Sequence, residues 1–556
     1  MSQTQTQTQK ASTSSHVNDW PNDAGFQVDV EQRQPVALRI VGSFPSGVAG
    51  TLIRTGPASY RTESKDGEGE FRLSHWFDGW SHVYRFQLLP QANGTCRVLY
   101  NSRRQVDEQL ARVKQTGRLD GITFGQKRDP CEGFFAKVKS VFAARNSGLP
   151  GDMNIGVTIH PAGPDSAGES SGGGPDKQHL TTRTDSAQLK RIHAQTLEPM
   201  GVTDQSKLHP ELNGPMSCAH AQFDPKTGDC YNYNLAFGRF ATYKLFRTSA
   251  SSGKTEILAT ITGADVSPAY VHSFFLTENC VVLCVWTAHY AAGGLATLWQ
   301  RNLLDAISPF DAKAQTHWFV VDRKSGKGLL QRFTSHAMFC FHTINAHERK
   351  QPDGTVDILA DLNEYPSLDI LHRLYYDNLV SDSPGARAYA DKGRAASTKP
   401  RFARYKLSGI SLQDAAAPAT TAADVPKALR ILHLPASSAG ELPTINPLNS
   451  TKAYRYAYGL CDRGQSSFLD GLVKIDLQTR QTVYWTKAKH TPGEAIFVVD
   501  PARKGKEDGG WLLSCVLDGA KGTSYLLCLD AETMREIGRA ESDVAWGIGF
   551  HGQHAK

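Results

Sequence analysis

The sequence predicts an all-β fold, and three observations carry that expectation. Short β-type runs rich in Val, Ile, Leu and aromatic residues follow one another along most of the chain, amphipathic helical periodicity is scarce, and one turn device recurs between apolar runs. In order, the runs are residues 51–54, 83–88, 97–100, 255–261, 281–286, 318–321, 356–359, 402–407, 472–475, 482–485, 495–499, 511–516 and 524–529. The turn device joins an apolar strand to a second strand through a short polar segment. It appears as Ile192-His193-Ala194-Gln195-Thr196, Phe223-Asp224-Pro225-Lys226-Thr227-Gly228, Val321-Asp322-Arg323-Lys324-Ser325-Gly326, Ile475-Asp476-Leu477-Gln478-Thr479 and Leu529-Asp530-Ala531-Glu532-Thr533. An Asp at the turn entrance can accept a bond from the backbone two residues on, and Gly supplies positive φ, so each example predicts a hairpin. Repeated hairpins favour propeller blades among all-β folds. The intervals between turn starts at 193, 224, 322, 476 and 530 are 31, 98, 154 and 54 residues, too irregular for a WD40-type repeat.

Composition narrows the class. The chain has 556 residues, of which 40% are hydrophobic and 21% charged, values of a globular protein rather than a disordered, collagenous or multispanning one. Its 61 basic against 55 acidic residues give a net charge of +6, too weak an excess to predict nucleic-acid binding. The ten cysteines include no CxxC pair, and several lie in apolar runs such as Val281-Val282-Leu283-Cys284-Val285-Trp286, which predicts reduced, buried thiols. Residues 1–20 are polar and repetitive and read as a disordered tail, leaving 21–556 as a single domain. Residues 163–177, 381–399 and 412–426 read as surface insertions. Residues 1–23 contain no apolar segment of a secretory signal, and no apolar run approaches the roughly eighteen residues of a spanning helix, so the expected location is cytoplasmic.

Nineteen histidines are present, but no His-Glu-x-x-His pattern places two on one helical turn. The candidates are His220, His272, His342 and His551, each within a β-like, partly apolar segment. Taken singly, each reads as a hydrogen-bonded core or loop histidine. Their spacings of 52, 70 and 209 residues carry no motif. A propeller would converge such segments on its axis, where inner strands supply one imidazole each.

Further segments give these histidines a context. Gly42-Ser43-Phe44-Pro45, Gly50-Thr51-Leu52-Ile53-Arg54-Thr55-Gly56-Pro57, His75-Trp76-Phe77-Asp78-Gly79, Ala269-Tyr270-Val271-His272-Ser273-Phe274-Phe275-Leu276-Thr277-Glu278-Asn279 and Phe550-His551-Gly552, in that order, resemble the carotenoid cleavage oxygenase family from about residue 41 to 552. The resemblance implies a seven-bladed β-propeller with a helical and loop cap over the active-site face. It implies a non-haem Fe(II) held by His220, His272, His342 and His551, with O2 as co-substrate. Four neutral imidazoles suit Fe, Cu, Ni or Zn, and on an octahedral ion they leave open positions. Ligating imidazoles usually pass their second N–H to a carboxylate. The family's later two such glutamates match Glu441 and Glu494, while Asp185 stands where the first is usually glutamate. Being one methylene shorter, Asp185 is expected to bond His272 at longer range or through water, or else to be a solvated turn residue.

The implied activity is oxidative cleavage of a conjugated C=C bond of a carotenoid or apocarotenoid to aldehydes, in the fungal branch acting on β-carotene or torulene. The alternative is stilbenoid or phenylpropenoid cleavage by the same iron chemistry; Thr184 stands where those members carry a phenol-binding lysine. No catalytic side chain beyond the metal ligands is implied, and no protein partner. Phe134, Phe135, Val138, Val141 and Phe142 fall at near-helical spacing with Lys137 and Lys139 between them, a short amphipathic helix. Its position matches the segment with which family members sit on membranes, so monotopic membrane contact through Phe134, Phe135, Val138 and Phe142 is expected. Cys131 resembles a cysteine lipidated in animal members.

Overall fold

The computed structural model describes residues 20–65, 67, 69–128, 148–161, 163, 179–388, 396–414 and 425–556. The predicted membrane segment and Cys131 lie outside these residues. Each β-run read from the sequence falls on a strand, and the strands form seven antiparallel sheets arranged as a seven-bladed propeller, with one extra hairpin of Arg61–Glu63 and Glu70–Arg72.

The blades follow the chain. Blade two is Thr158–Pro161, His179–Arg183, Gln188–His193 and Pro199–Asp204; blade three begins with Met216–Ser217 and Gln222–Phe223 and continues through Cys230–Ala236, Thr242–Thr248 and Thr255–Thr262. Blade four runs Phe275–Leu276, Cys280–Val285, Gln315–Asp322, Leu329–His336, and blade five Thr343–Lys350, Val356–Glu364, Arg401–Ile410, Leu429–His433. Blade six is Glu441–Thr444, Tyr456–Cys461, Gly471–Asp476 and Thr482–Trp485. Blades one and seven close the ring by exchange. His551–Ala555 pairs with Gly50–Ser59 as the inner strand of blade one, which continues through Trp80–Pro90, Cys96–Arg104 and Val36–Ala37. Arg39–Gly42 is in turn the outer strand of blade seven beside Glu536–Glu541, beyond Thr523–Asp530 and Gly510–Asp518. Two opposite swaps therefore lock the closure.

The recurring turns are hairpins, and at the four that open on Asp the acid does what its chemistry predicts. Asp224 accepts from Lys226 N (2.7 Å), Asp476 from Gln478 N (3.0 Å) and Asp530 from Thr533 N (2.8 Å). Asp322 accepts three backbone bonds, from Lys324, Ser325 and Lys327, at 3.1, 2.8 and 3.0 Å. Insertions explain the irregular period. Blade four carries Ala296–Gln300 between its second and third strands, and blade five carries Asp369–Arg373, Tyr376–Leu379 and Pro384–Ala388. These segments form the cap. The expectation of a surface insertion over 381–399 fails at both ends: Ser381 is fully buried, exchanging bonds with Asn22 at 2.9 and 3.3 Å, and Thr398 is buried beneath the cap. Of the nine described cysteines all but the half-buried Cys515 are buried. Among the described residues no helix is long and apolar enough to cross a membrane.

Candidate metal centre

Each of the seven blades sends one side chain to the centre. His551 opens the inner strand of blade one, His220 sits in the break between the two inner pieces of blade three, and His272 and His342 lie just before the inner strands of blades four and five. Blades two, six and seven supply Asp185, Glu441 and Glu494. The structure thus brings together all seven residues proposed from the sequence. One ligand atom from each histidine lies within 4.8 Å of the others, and the His220 ring is 4.7, 4.9 and 4.3 Å from those of His272, His342 and His551.

The carboxylates fix which nitrogen points inward. A carboxylate only accepts, so the ring nitrogen facing it carries the proton and the other keeps its lone pair. His272 Nδ1 donates to Asp185 at 2.9 Å, His342 Nδ1 to Glu441 at 2.5 Å and His551 Nδ1 to Glu494 at 2.8 Å. Asp185 therefore contacts His272 directly, contrary to the expected longer or water-bridged bond, and it is buried rather than solvated. Its backbone position makes up for the missing methylene, held by Ala219 N on Oδ1 (3.1 Å) and Tyr270 Oη on Oδ2 (3.0 Å). Glu441 also accepts from Tyr365 Oη (2.7 Å) and Leu442 N (3.0 Å), and Glu494 from Gly552 N (2.8 Å) and Arg54 Nη1 (3.3 Å).

The electrostatics follow. Burial pushes the Glu494 carboxyl up to about 7 against the opposing pull of Arg54 and Gly552 N–H. Burial acts upward on Glu441 as well, but His342 and the Tyr365 and Leu442 donors outweigh it and hold that carboxyl below its ordinary value. Burial, reinforced by the neighbouring imidazoles, drives His220 and His551 far below the ordinary histidine value, so both are neutral. Nε2 of His220 and of His342 is buried without a hydrogen-bond partner. Buried polar atoms are rarely left so. Four convergent imidazoles, two of them with an orphaned inward nitrogen, fit a divalent transition metal such as Fe(II).

Other conspicuous side chains serve the walls. Both His75 nitrogens are committed, one donating to Leu371 O (2.9 Å) and the other accepting from Phe77 N (3.1 Å), so His75 offers no ligand atom. Asp78 accepts from Phe124 N (2.6 Å) and Gly125 N (2.8 Å), fixing that loop over Phe77. Gly56 adopts φ +146°, and a Cβ there would stand 2.3 Å from Phe550 N, so only glycine lets Phe550 and His551 approach. Beside the histidines opens a cavity with about 910 Å3 of unfilled space including its mouth, lined mainly by apolar groups such as Trp76, Phe77, Phe341, Leu374, Phe468 and Phe550. Thr184 is not among its lining residues. Sequence reasoning missed Tyr270, Tyr365 and Arg54 as supports of the three acids. Tyr270, two residues before His272 on the same face of an extended run, was open to that inference; Tyr365, from the cap insertion, carried no pattern.

Comparison with known proteins matches this arrangement. The family model described as "Retinal pigment epithelial membrane protein" covers residues 25–556. The chain belongs to the carotenoid oxygenase family. This carotenoid oxygenase is 44% identical to the carotenoid dioxygenase of Neurospora crassa, over 96% of the chain and 91% of the relative. It is equally 44% identical to the torulene dioxygenase of Gibberella fujikuroi (96% and 93% covered), and 27% identical to the mouse β,β-carotene 15,15′-dioxygenase (94% and 89%). The fold of this carotenoid oxygenase superimposes on a glutamate-to-aspartate variant of the Synechocystis apocarotenoid oxygenase with a TM-score of 0.71 at 21% identity, covering 98% and 99% of the two chains.

Proposed function

We propose that this chain is a non-haem Fe(II) oxygenase that cleaves a conjugated C=C bond of a carotenoid or apocarotenoid with O2, yielding aldehydes. The observation that carries this is the set of four imidazoles whose ring nitrogens converge at the wall of an apolar cavity. The fungal relatives at 44% identity, named for carotenoid and torulene dioxygenation, point the same way.

When bound by His220, His272, His342 and His551, iron would supply the O2 activation that no protein side chain provides. The remaining work is the chain's own. Asp185, Glu441 and Glu494 keep three of the imidazoles in the tautomer that presents Nε2. Phe77 and Phe341 pack on His272, with ring centroids at 6.3 and 5.9 Å, and exclude water from one side of the centre. The cavity walls hold a polyene in one pose, which sets the double bond presented to the imidazoles.

The reading extends to a membrane surface, from which an apolar substrate would be drawn. Leu295, Leu298 and Trp299 are each about half exposed around the short helix Ala296–Gln300. A bridge between Thr123 and Asn302 ties that region to the stretch leading into the predicted amphipathic segment.

The test is aerobic incubation of iron-assayed protein with β-carotene, torulene and resveratrol separately, with products identified by chromatography and mass spectrometry. Polyene aldehydes are the expected result. Aromatic aldehydes from resveratrol alone would move the chain to stilbenoid cleavage, and no polyene product from iron-replete protein would overturn the proposal.

A further inference from the structure

The apolar cavity holds one charged cluster that the metal centre does not use. Arg373 ends the helix Asp369–Arg373, Lys399 precedes the strand Arg401–Ile410, and Asp462 follows the strand Tyr456–Cys461, so the three meet where blades five and six adjoin. All three line the cavity, among Pro400, Ala436, Ala439, Leu460 and Leu469. Arg373 Nη2 lies 3.9 Å and Lys399 Nζ 3.4 Å from the Asp462 carboxylate, with side chains only 10%, 22% and 13% exposed for Arg373, Lys399 and Asp462. Two positive charges therefore face one negative charge inside an otherwise apolar wall.

The commitments of the three differ. Asp462 also accepts from Gly464 N at 2.9 Å, which divides its charge. Arg373 donates to Ser467 O at 2.8 Å, an anchor of the loop. Among the described residues Lys399 Nζ reaches only Asp462, at 3.2 Å to the carbonyl and 3.4 Å to the carboxylate, both at the long end of hydrogen bonding. An ammonium has three N–H donors, so Lys399 has capacity for whatever fills the cavity. A hydrocarbon end would strip water from that ammonium and return nothing, whereas an acceptor oxygen would answer it.

We propose that the blade five–six end of the cavity recognises an oxygen-bearing terminus of a conjugated chain, a carbonyl or carboxylate held by Lys399, so that an oxygenated apocarotenoid is preferred over a hydrocarbon carotenoid. This rests on the function proposed above and names the substrate class within it. Lys399 is a positioning residue: anchoring one end of a rigid polyene fixes the distance to the double bond beside the imidazoles.

Binding is measured separately from turnover, by the visible absorption shift of the polyene and by quenching of tryptophan fluorescence, with a β-apocarotenal, the matching apocarotenoic acid, β-carotene and resveratrol as probes. On the wild-type protein the aldehyde or acid is expected to bind at least about tenfold tighter than β-carotene. In Lys399→Met, Kd and KM for the oxygenated polyenes should rise about ten- to a hundredfold, with kcat changed far less and β-carotene within about twofold, and Lys399→Arg should restore most of the loss. The aldehyde and acid arms separate a carbonyl from a carboxylate preference. Equal wild-type affinity for oxygenated and hydrocarbon polyenes overturns the proposal without any variant having to fold. So does equal loss on both classes, or a Lys399 dependence confined to resveratrol. Lys399-dependent binding without turnover keeps the recognition site and overturns the oxygenase reading, while Lys399-independent turnover does the reverse.

Discussion

At the scale of single residues, the centre depends on side chains that no local motif joins. Replacing His342 with Ala removes one of four convergent lone pairs and strands Glu441 as a buried acid, so iron retention after gel filtration should fall to background, and turnover with it. Asp185→Ala leaves all four imidazoles but frees the His272 ring, which should weaken iron affinity and kcat by about ten- to a hundredfold, read by chelator competition and initial rates. Full activity in Asp185→Ala would mean that Tyr270, 3.2 Å from His272 Nδ1, orients the ring alone. The ordered series of segments made the four histidines and Glu441, Glu494 and Asp185 legible; spacing did not, because blade and insertion lengths set it. Lys399 was illegible, since its chemistry arises only where two blades adjoin. A different lysine provides a pH test. Lys190, fully buried in blade two, donates to Gln105 O (2.8 Å) and Met153 O, and burial lowers its pKa from 10.5 to about 7. Between those values the unfolded chain binds the proton and the folded chain does not, so folding stability rises with pH across that window; below about 7 the burial cost is fully present. Wild type should accordingly gain stability on Lys190→Met as pH rises from 7 towards 10, in parallel urea titrations.

At the scale of elements, local chemistry and tertiary demand divide the work. The hairpins were readable because Asp at a turn entrance acts within two to five residues of itself. Asp322→Ala forfeits three backbone bonds at once, and a loss of about 1–2 kcal/mol in urea unfolding is expected, with kcat unchanged because the turn does not line the cavity. Gly56 is the opposite case: its need for positive φ comes from Phe550, nearly five hundred residues away in sequence. Gly56→Ala should cost roughly 2–4 kcal/mol and lower iron content together with stability, since relief of the clash displaces His551. The cap insertions resisted the sequence reading for a related reason. Residues 381–399 have loop-like composition, yet their ends bury Ser381 and Thr398 and bring Lys399 to the cavity, contacts specified by partners on Asn22 and blade six.

For the whole molecule, a metal tied to blades one, three, four and five would link parts of the ring that otherwise communicate only through their neighbours. Iron bound at a hundred times its Kd stabilises the folded state by about 2.7 kcal/mol, so chelation should lower Tm by on the order of a few degrees in calorimetry, and His342→Ala should show no such dependence. The all-β class and the hairpins were legible from the residue pattern and the seven blades only through the family resemblance; the closure was not legible, because it pairs residues 51–55 with 551–555 and leaves no periodic trace. That pairing also has a biosynthetic meaning. As the polypeptide leaves the ribosome, Gly50–Ser59 emerges early, but the strand that covers its inner edge is made some five hundred residues later. At the roughly 5–20 residues per second of translation, the edge waits for tens of seconds or more as an open template for mispairing. Because His551 begins the later-made of the two paired strands, all four imidazoles come together only after that strand has been synthesised.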